Sequence, residues 1–190
     1  FIAGPRRRAD HRAQRHWRGG RRAFRLLAAR LPPHTRRVIQ RYSRPEMRAV
    51  WTDENKLRLW LQIELLAGEA LVQEGVVPAA DFAKIKAGCD AWAADLPGLV
   101  ARQRELEKTL NHDVIAFTTA VAEKINDTAS RWFHFGLTSS DVGDTCYAVQ
   151  MVQSADLLIA DVEKLLPVIA RRANEHQFTP CIGRSHGIHA

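Results

Sequence analysis

Four short polar clusters carry the residues of this chain that could do chemistry. Arg41–Tyr42 sits near the start of the patterned sequence, followed by Asn111–His112–Asp113, then Thr138–Ser139–Ser140–Asp141, then Ser185–His186 with His189. An arginine beside a tyrosine can bind an anion such as phosphate. A histidine whose pKa lies near neutral pH can give or take a proton. Hydroxyls at a helix start lie beside free backbone N–H groups, where negative charge is favoured. Each cluster also has a plain structural reading. Arg41 and Tyr42 can be surface residues, His112 can cap or pack, and the hydroxyls can be an N-cap alone. His186 and His189, spaced i and i+3, form only a weak metal signal, with no acid beside them. Taken one at a time, none of these clusters supports a functional claim.

The elements that must hold them read as helices. Thr52 is a fair N-cap, with Asp53 and Glu54 in the first turn where the helix dipole favours acids. Leu57, Trp60, Leu61, Ile63, Leu65, Leu66, Leu71 and Val72 recur at helical spacing, and Gly75 and Pro78 stop the run. A shorter helix is expected over 79–87, ending at Gly88, and another over 97–108, opened by Pro97. Residues 112–125 are amphipathic, with Val114, Phe117, Val121 and Ile125 in register. Residues 132–141 read as a loop whose Thr138, Ser139 or Ser140 caps the next helix. From Asp141 to about His176 the pattern is helical, with an interruption at Pro167. A helix that long suggests a long bundle. No run alternates cleanly enough for a strand, and 179–190 reads as loop. The fold class is therefore all-α. The expected division is 1–37 as a leader, 38–138 as an amino-terminal helical domain, and 139–190 as the first part of a central helical bundle, cut short.

The leader dominates the charge. Residues 1–37 hold twelve Arg, no Lys and one acid, Asp10, a net +11, so the remainder carries −4 of the overall +7. Three readings stand: a basic arm binding nucleic acid, an Arg-rich transit peptide, or sequence foreign to the natural protein. The third is preferred. The chain starts at Phe1, the first Met is Met47, and Arg with Ala, Gly and Pro resembles translated GC-rich DNA, so Val38 could be the natural start. The absence of Ser in the leader speaks against a transit peptide. Cys89, Cys146 and Cys181 are scattered and odd in number, which fits reduced thiols in a cytoplasmic protein rather than a disulfide scaffold. No stretch is apolar for the length of a membrane span.

Taken together, the clusters change the picture. IQRYSRPEMRAVWTDENKLRLWLQIELLAGEAL, NHDVIAFTTAV, FHFGLTSSDVGDT and GRSHGIHA occur in this order between Ile39 and Ala190. This resembles the adenylosuccinate lyases of the fumarase and aspartase superfamily of α-helical enzymes. RYSRPEM points to that family, whereas GLTSSD alone indicates only the superfamily. The resemblance implies β-elimination of fumarate from adenylosuccinate, giving AMP, and from the succinylated aminoimidazole carboxamide ribotide of purine synthesis. It implies no cofactor and no metal, and a homotetramer whose sites draw on three subunits.

The resemblance also implies roles. Arg41 and Tyr42 would bind the nucleotide phosphate. Asn111, His112 and Asp113 would bind substrate, with His112 orienting the acid; Asn111 stands where the family usually has Arg or Lys. Thr138 and Ser139 would hold the succinyl part. Ser185 stands where Thr is usual and keeps the hydroxyl. His186 would be the general acid, and His134 a histidine near the site. The base would be a serine on a mobile glycine- and serine-rich loop, a segment these residues do not include. The chain by itself is therefore expected to be inactive and poorly soluble. The competing readings are a related lyase such as argininosuccinate lyase or a cycloisomerase, a basic helical nucleic-acid binder, and a purely structural bundle.

Overall fold

The computed structural model describes residues 40–189. The expectations for the leader, for a start at Val38 and for the onset of order at Ile39 lie outside these residues. Two units make up the chain, one ending at Ser43 and one beginning at Arg44. In the first, Gln40–Tyr42 form one 3₁₀ turn.

The second unit holds six helices, so the all-α class holds. Helix α1 (Pro45–Val50) opens with proline in its first turn, where a missing N–H costs nothing. Helix α2 (Asp53–Gln73) is capped by Thr52, whose hydroxyl accepts from the Asn55 N–H at 3.1 Å. The chain leaves α2 through Gly75, in the left-handed region at φ 71°. Helix α3 spans Ala79–Ala93, and α4 spans Leu96–Leu110 behind the Asp95 cap. Helix α5 covers Asp113–Ile125 and leads into a 3₁₀ turn at Thr128–Trp132. Helix α6, Ser139–Glu175, is 37 residues long, about 55 Å at the usual rise.

Three sequence expectations are corrected. Helix α3 does not stop at Gly88 but runs on to Ala93. Gly88 is there for close packing: a Cβ on it would lie 2.6 Å from Ile125 Cγ1 and 3.3 Å from the Ile125 backbone. Pro167 does not interrupt α6. One proline removes one N–H bond at about 3 kcal/mol, and the helical run on both sides outweighs it. Finally, 179–190 is not all loop, because Arg184–Ser185 (β1) and Ile188–His189 (β2) pair as a tiny antiparallel hairpin.

The core forms where α2, α3, α4, α5 and the start of α6 meet. Leu57, Leu99, Phe117, Val121 and Val142 are fully buried there. Phe117 packs edge-on against Trp60, centroids 5.3 Å apart, and against Phe133 at 5.9 Å. Helix α6 enters this core through Val142, Cys146 and Gln150, one every turn. The amides of Gln150 and Asn55 both donate to the Val50 carbonyl at 2.8 Å, satisfying the end of α1. Beyond that point α6 leaves the core, and Leu158, Ile159, Val162, Leu165, Leu166 and Ile169 are exposed.

Candidate active site

The Asn111–His112–Asp113 cluster is the joint between α4 and α5. Asn111 ends α4 in the left-handed region at φ 53°. Asparagine tolerates that region because its short amide bonds locally, here to the Thr109 carbonyl at 3.2 Å. His112 is the N-cap of α5: its Nδ1 accepts from the Ile115 N–H at 3.3 Å. An accepting Nδ1 places the ring proton on Nε2, so the neutral ring offers an N–H donor. The Asp113 carboxylate bonds the Val114 N–H at 2.9 Å and lies 3.7 Å from His112 Nδ1. Buried Gln103 braces the joint from α4 by donating to the Asp113 carbonyl at 3.3 Å.

The second cluster is the loop between the 3₁₀ turn and α6. Thr138 is the cap: its Oγ1 accepts from the Ser140 N–H at 3.3 Å, and Asp141 accepts from the Thr138 N–H at 2.7 Å. This reciprocal box satisfies two otherwise free donors and fixes where α6 begins. Ser139 is the first helical residue, half-buried, beside the positive end of a long helix dipole. Four residues before the cap, His134 also sits in the left-handed region, at φ 64°. The Phe117–Phe133 contact ties this loop to α5, the helix that His112 caps.

Sequence reasoning missed one member of this cluster. Glu64 on α2 is buried, its carboxylate 2.6 Å from His134 Nδ1. Burial pushes its carboxyl above the ordinary glutamate range, and the His134 ring pulls it back only in part. The signal was present in the pattern. Leu57, Trp60, Leu61 and Glu64 fall on one helical stripe, so an acid stood where an apolar residue was due.

Ser185 and His186 lie on the hairpin, exposed. His186 and Gly187 form its two-residue turn, at φ 49° and 79°, the pattern of a type I′ turn. Among the described residues no hydrogen bond or ion pair joins Ser185 or His186 to the other candidates. Arg41 and Tyr42, in their own unit, pair with each other. The guanidinium donates to Tyr42 Oη at 3.0 Å and lies 4.9 Å from the ring centroid. Among the described residues no three His, Cys, Asp or Glu side chains are grouped to hold a metal. Cys89 and Cys146 are buried, and burial pushes both thiols up, Cys89 to about 12. Neither is a nucleophile at neutral pH.

The arrangement is thus two helix-start polar joints on one core, with a histidine turn beyond them. A family model described as "Lyase" matches residues 40–190, which takes in every candidate residue from Arg41 to His186. The chain belongs to this lyase family. Curated relatives named adenylosuccinate lyase are 42% identical over 153 residues (Bacillus subtilis), 44% over 153 (Streptococcus mutans) and 45% over 155 (Synechocystis). Each match covers 80% of this chain, and the chain spans 34% of each relative's length. The resemblance drawn from the four motifs is therefore met in these relatives. Among solved structures, a fumarate lyase from Mesorhizobium has a TM-score of 0.70 at 21% identity, over 81% of this chain and 36% of its own. That match shows the fold. A 3-carboxy-cis,cis-muconate lactonizing enzyme from Pseudomonas putida has a TM-score of 0.68 at 30% identity, over 78% of this chain and 34% of its own. Among the described residues no helix is long and apolar enough to cross a membrane.

Proposed function

We propose that this chain is the amino-terminal part of a cytoplasmic adenylosuccinate lyase. It breaks a C–N bond by β-elimination, releasing fumarate and AMP from adenylosuccinate. The same site acts on the succinylated aminoimidazole carboxamide ribotide of purine synthesis. The observation that carries this reading is identity above 40% to three adenylosuccinate lyases over 153–155 residues, 80% of this chain.

The chemistry sets the roles. Elimination removes a weakly acidic proton beside a carboxylate and builds negative charge there, so fixed donors near that charge lower the barrier. Thr138 and Ser139, at the positive start of α6, hold the succinyl part. His112 offers its Nε2 proton to the substrate, while its Nδ1 is occupied by the Ile115 N–H. Asn111 and Asp113 complete that contact, and Ser185 binds a carboxylate. Arg41 and Tyr42 bind the phosphate, and His134 supports the site. His186 protonates the departing nitrogen. In the family resemblance the base is a serine on a mobile loop outside these residues, and the site is completed by neighbouring copies. The exposed stripe of α6 is where a homotetramer would gain its helix contacts, and α6 is the first helix of its central bundle. The substrate is a small nucleotide; nucleic acid has no part in this reading.

The test is ultraviolet detection of fumarate from a full-length protein carrying this chain. It is given adenylosuccinate, the succinylated ribotide, argininosuccinate and 3-carboxy-cis,cis-muconate in turn. Release from the first two alone supports the reading. Turnover of argininosuccinate or muconate alone would move the chain to another branch of the superfamily.

A further inference from the structure

Glu64 is a buried acid that the assigned chemistry does not use. It sits on the core face of α2 with its side chain 1% exposed. Burying a carboxylate is costly unless it is paired and hydrogen-bonded. Its partner is His134, whose ring Nδ1 lies 2.6 Å from the carboxylate. The free space around the pair is about 10 Å³, at the lower limit for one water, so the histidine does the work that solvent would do elsewhere. The grip also explains the backbone. His134 is a non-glycine residue at φ 64°, a conformation that costs of order 1–3 kcal/mol and persists only where its surroundings hold it.

A stability role alone is poorly served by this arrangement. An apolar side chain at position 64 would continue the stripe of Leu57, Trp60 and Leu61 without desolvating a charge. What the carboxylate adds is control of the ring. With Nδ1 bonded to Glu64, the other nitrogen, Nε2, is left for a ligand. The His134 side chain is 23% exposed, so solvent reaches the ring although it does not reach Glu64. The same loop ends four residues later in Thr138 and Ser139, at the positive end of α6.

We propose that Glu64 is a positioning residue: its buried carboxylate fixes the His134 ring through Nδ1, so that Nε2–H donates to an anionic group of the bound substrate. The inference rests on the lyase reading for the identity of the substrate, and on geometry alone for the pair.

The experiment uses a full-length protein carrying this chain, in wild-type form and as Glu64→Gln, His134→Asn and the double variant. Fumarate release from adenylosuccinate gives kcat/KM, and thermal unfolding checks the fold. Glu64→Gln keeps the size and one acceptor but removes the charge. It is expected to lower kcat/KM by about 10–100-fold, the size of effect known for groups that orient metal-bound histidines, with no loss of unfolding temperature. In the His134→Asn background the same change is expected to alter kcat/KM less than twofold, because Glu64 acts through the ring. A proton spectrum adds a readout independent of turnover. The wild type is expected to show a low-field Nδ1 proton that is absent from His134→Asn and moved upfield in Glu64→Gln. The proposal is overturned if Glu64→Gln turns over like wild type, if its defect persists in full without His134, or if no such proton is seen. A wild-type protein that shows the resonance but releases no fumarate would count against the lyase reading and leave the pair standing.

Discussion

The exposed stripe of α6 makes a quantitative claim about self-association. Leu158, Ile159, Val162, Leu165, Leu166 and Ile169 recur at helical spacing and are between 53% and 60% exposed. Fully burying such a side chain is worth about 1.5–3 kcal/mol. With somewhat more than half of each still uncovered, covering the stripe gains roughly 1–1.5 kcal/mol per residue, or roughly 6–9 kcal/mol for the six. Two copies that cover each other's stripes gain roughly twice that, which exceeds much of the ~4–15 kcal/mol lost in bringing two molecules together. The 190-residue chain should therefore associate or precipitate at concentrations of about 10 μM. The perturbation is Val162→Glu with Leu166→Lys. It breaks the stripe at its centre and adds an i, i+4 pair that supports the helix by a few tenths of a kcal/mol. Sedimentation velocity should shift the variant to monomer, while circular dichroism at 222 nm stays unchanged. A wild-type chain that is monomeric at ~100 μM, or a double variant that assembles as before, would refute the reasoning.

Three further outcomes follow from single contacts. Thr138→Ala removes one side of the capping box on α6 and should cost about 0.5–2 kcal/mol in urea unfolding, with faster hydrogen exchange in the first turn. Gly88→Val drives a side chain into Ile125, whose Cγ1 and backbone leave no room for a Cβ, and should cost roughly 1–3 kcal/mol. Burial raises the Glu64 carboxyl above its unfolded value, and His134 beside it offsets this only in part. The folded state therefore holds the proton more tightly, and the stability this group contributes is complete below the unfolded pKa and is lost as pH rises through the folded one. Glu64→Gln removes that loss, so its unfolding temperature relative to wild type should climb as pH goes from 4 to 7. A difference that shrinks over that range contradicts the assignment.

Much of the helical layout was legible in the sequence because caps and periodicity agree. Thr52, Pro97 and Thr138 mark starts that the structure keeps, and the stripe of Leu57, Trp60 and Leu61 lies in the core. The misreadings share a physical cause. Gly88 and Pro167 read locally as a stop and an interruption, whereas their positions are settled by packing against Ile125 and by the length of α6. The hairpin at Arg184–His189 is too short for alternation to show, although His186–Gly187 carries the left-handed pair of a tight turn. Within the candidate site, the roles of hydroxyls and histidines at helix starts could be read from type and position. The partner of His134 could not, since Glu64 lies 70 residues earlier in the chain and only the fold brings the two together.

The central claim is proton donation by the imidazole at the tip of the hairpin. The direct measurement is steady-state fumarate release from adenylosuccinate by a full-length protein carrying this chain, compared with its His186→Gln variant. General acid catalysis of this kind contributes about 10²–10⁴ in rate, so the variant should lose turnover by a factor in that range while still binding substrate. Turnover within a few-fold of wild type would contradict it.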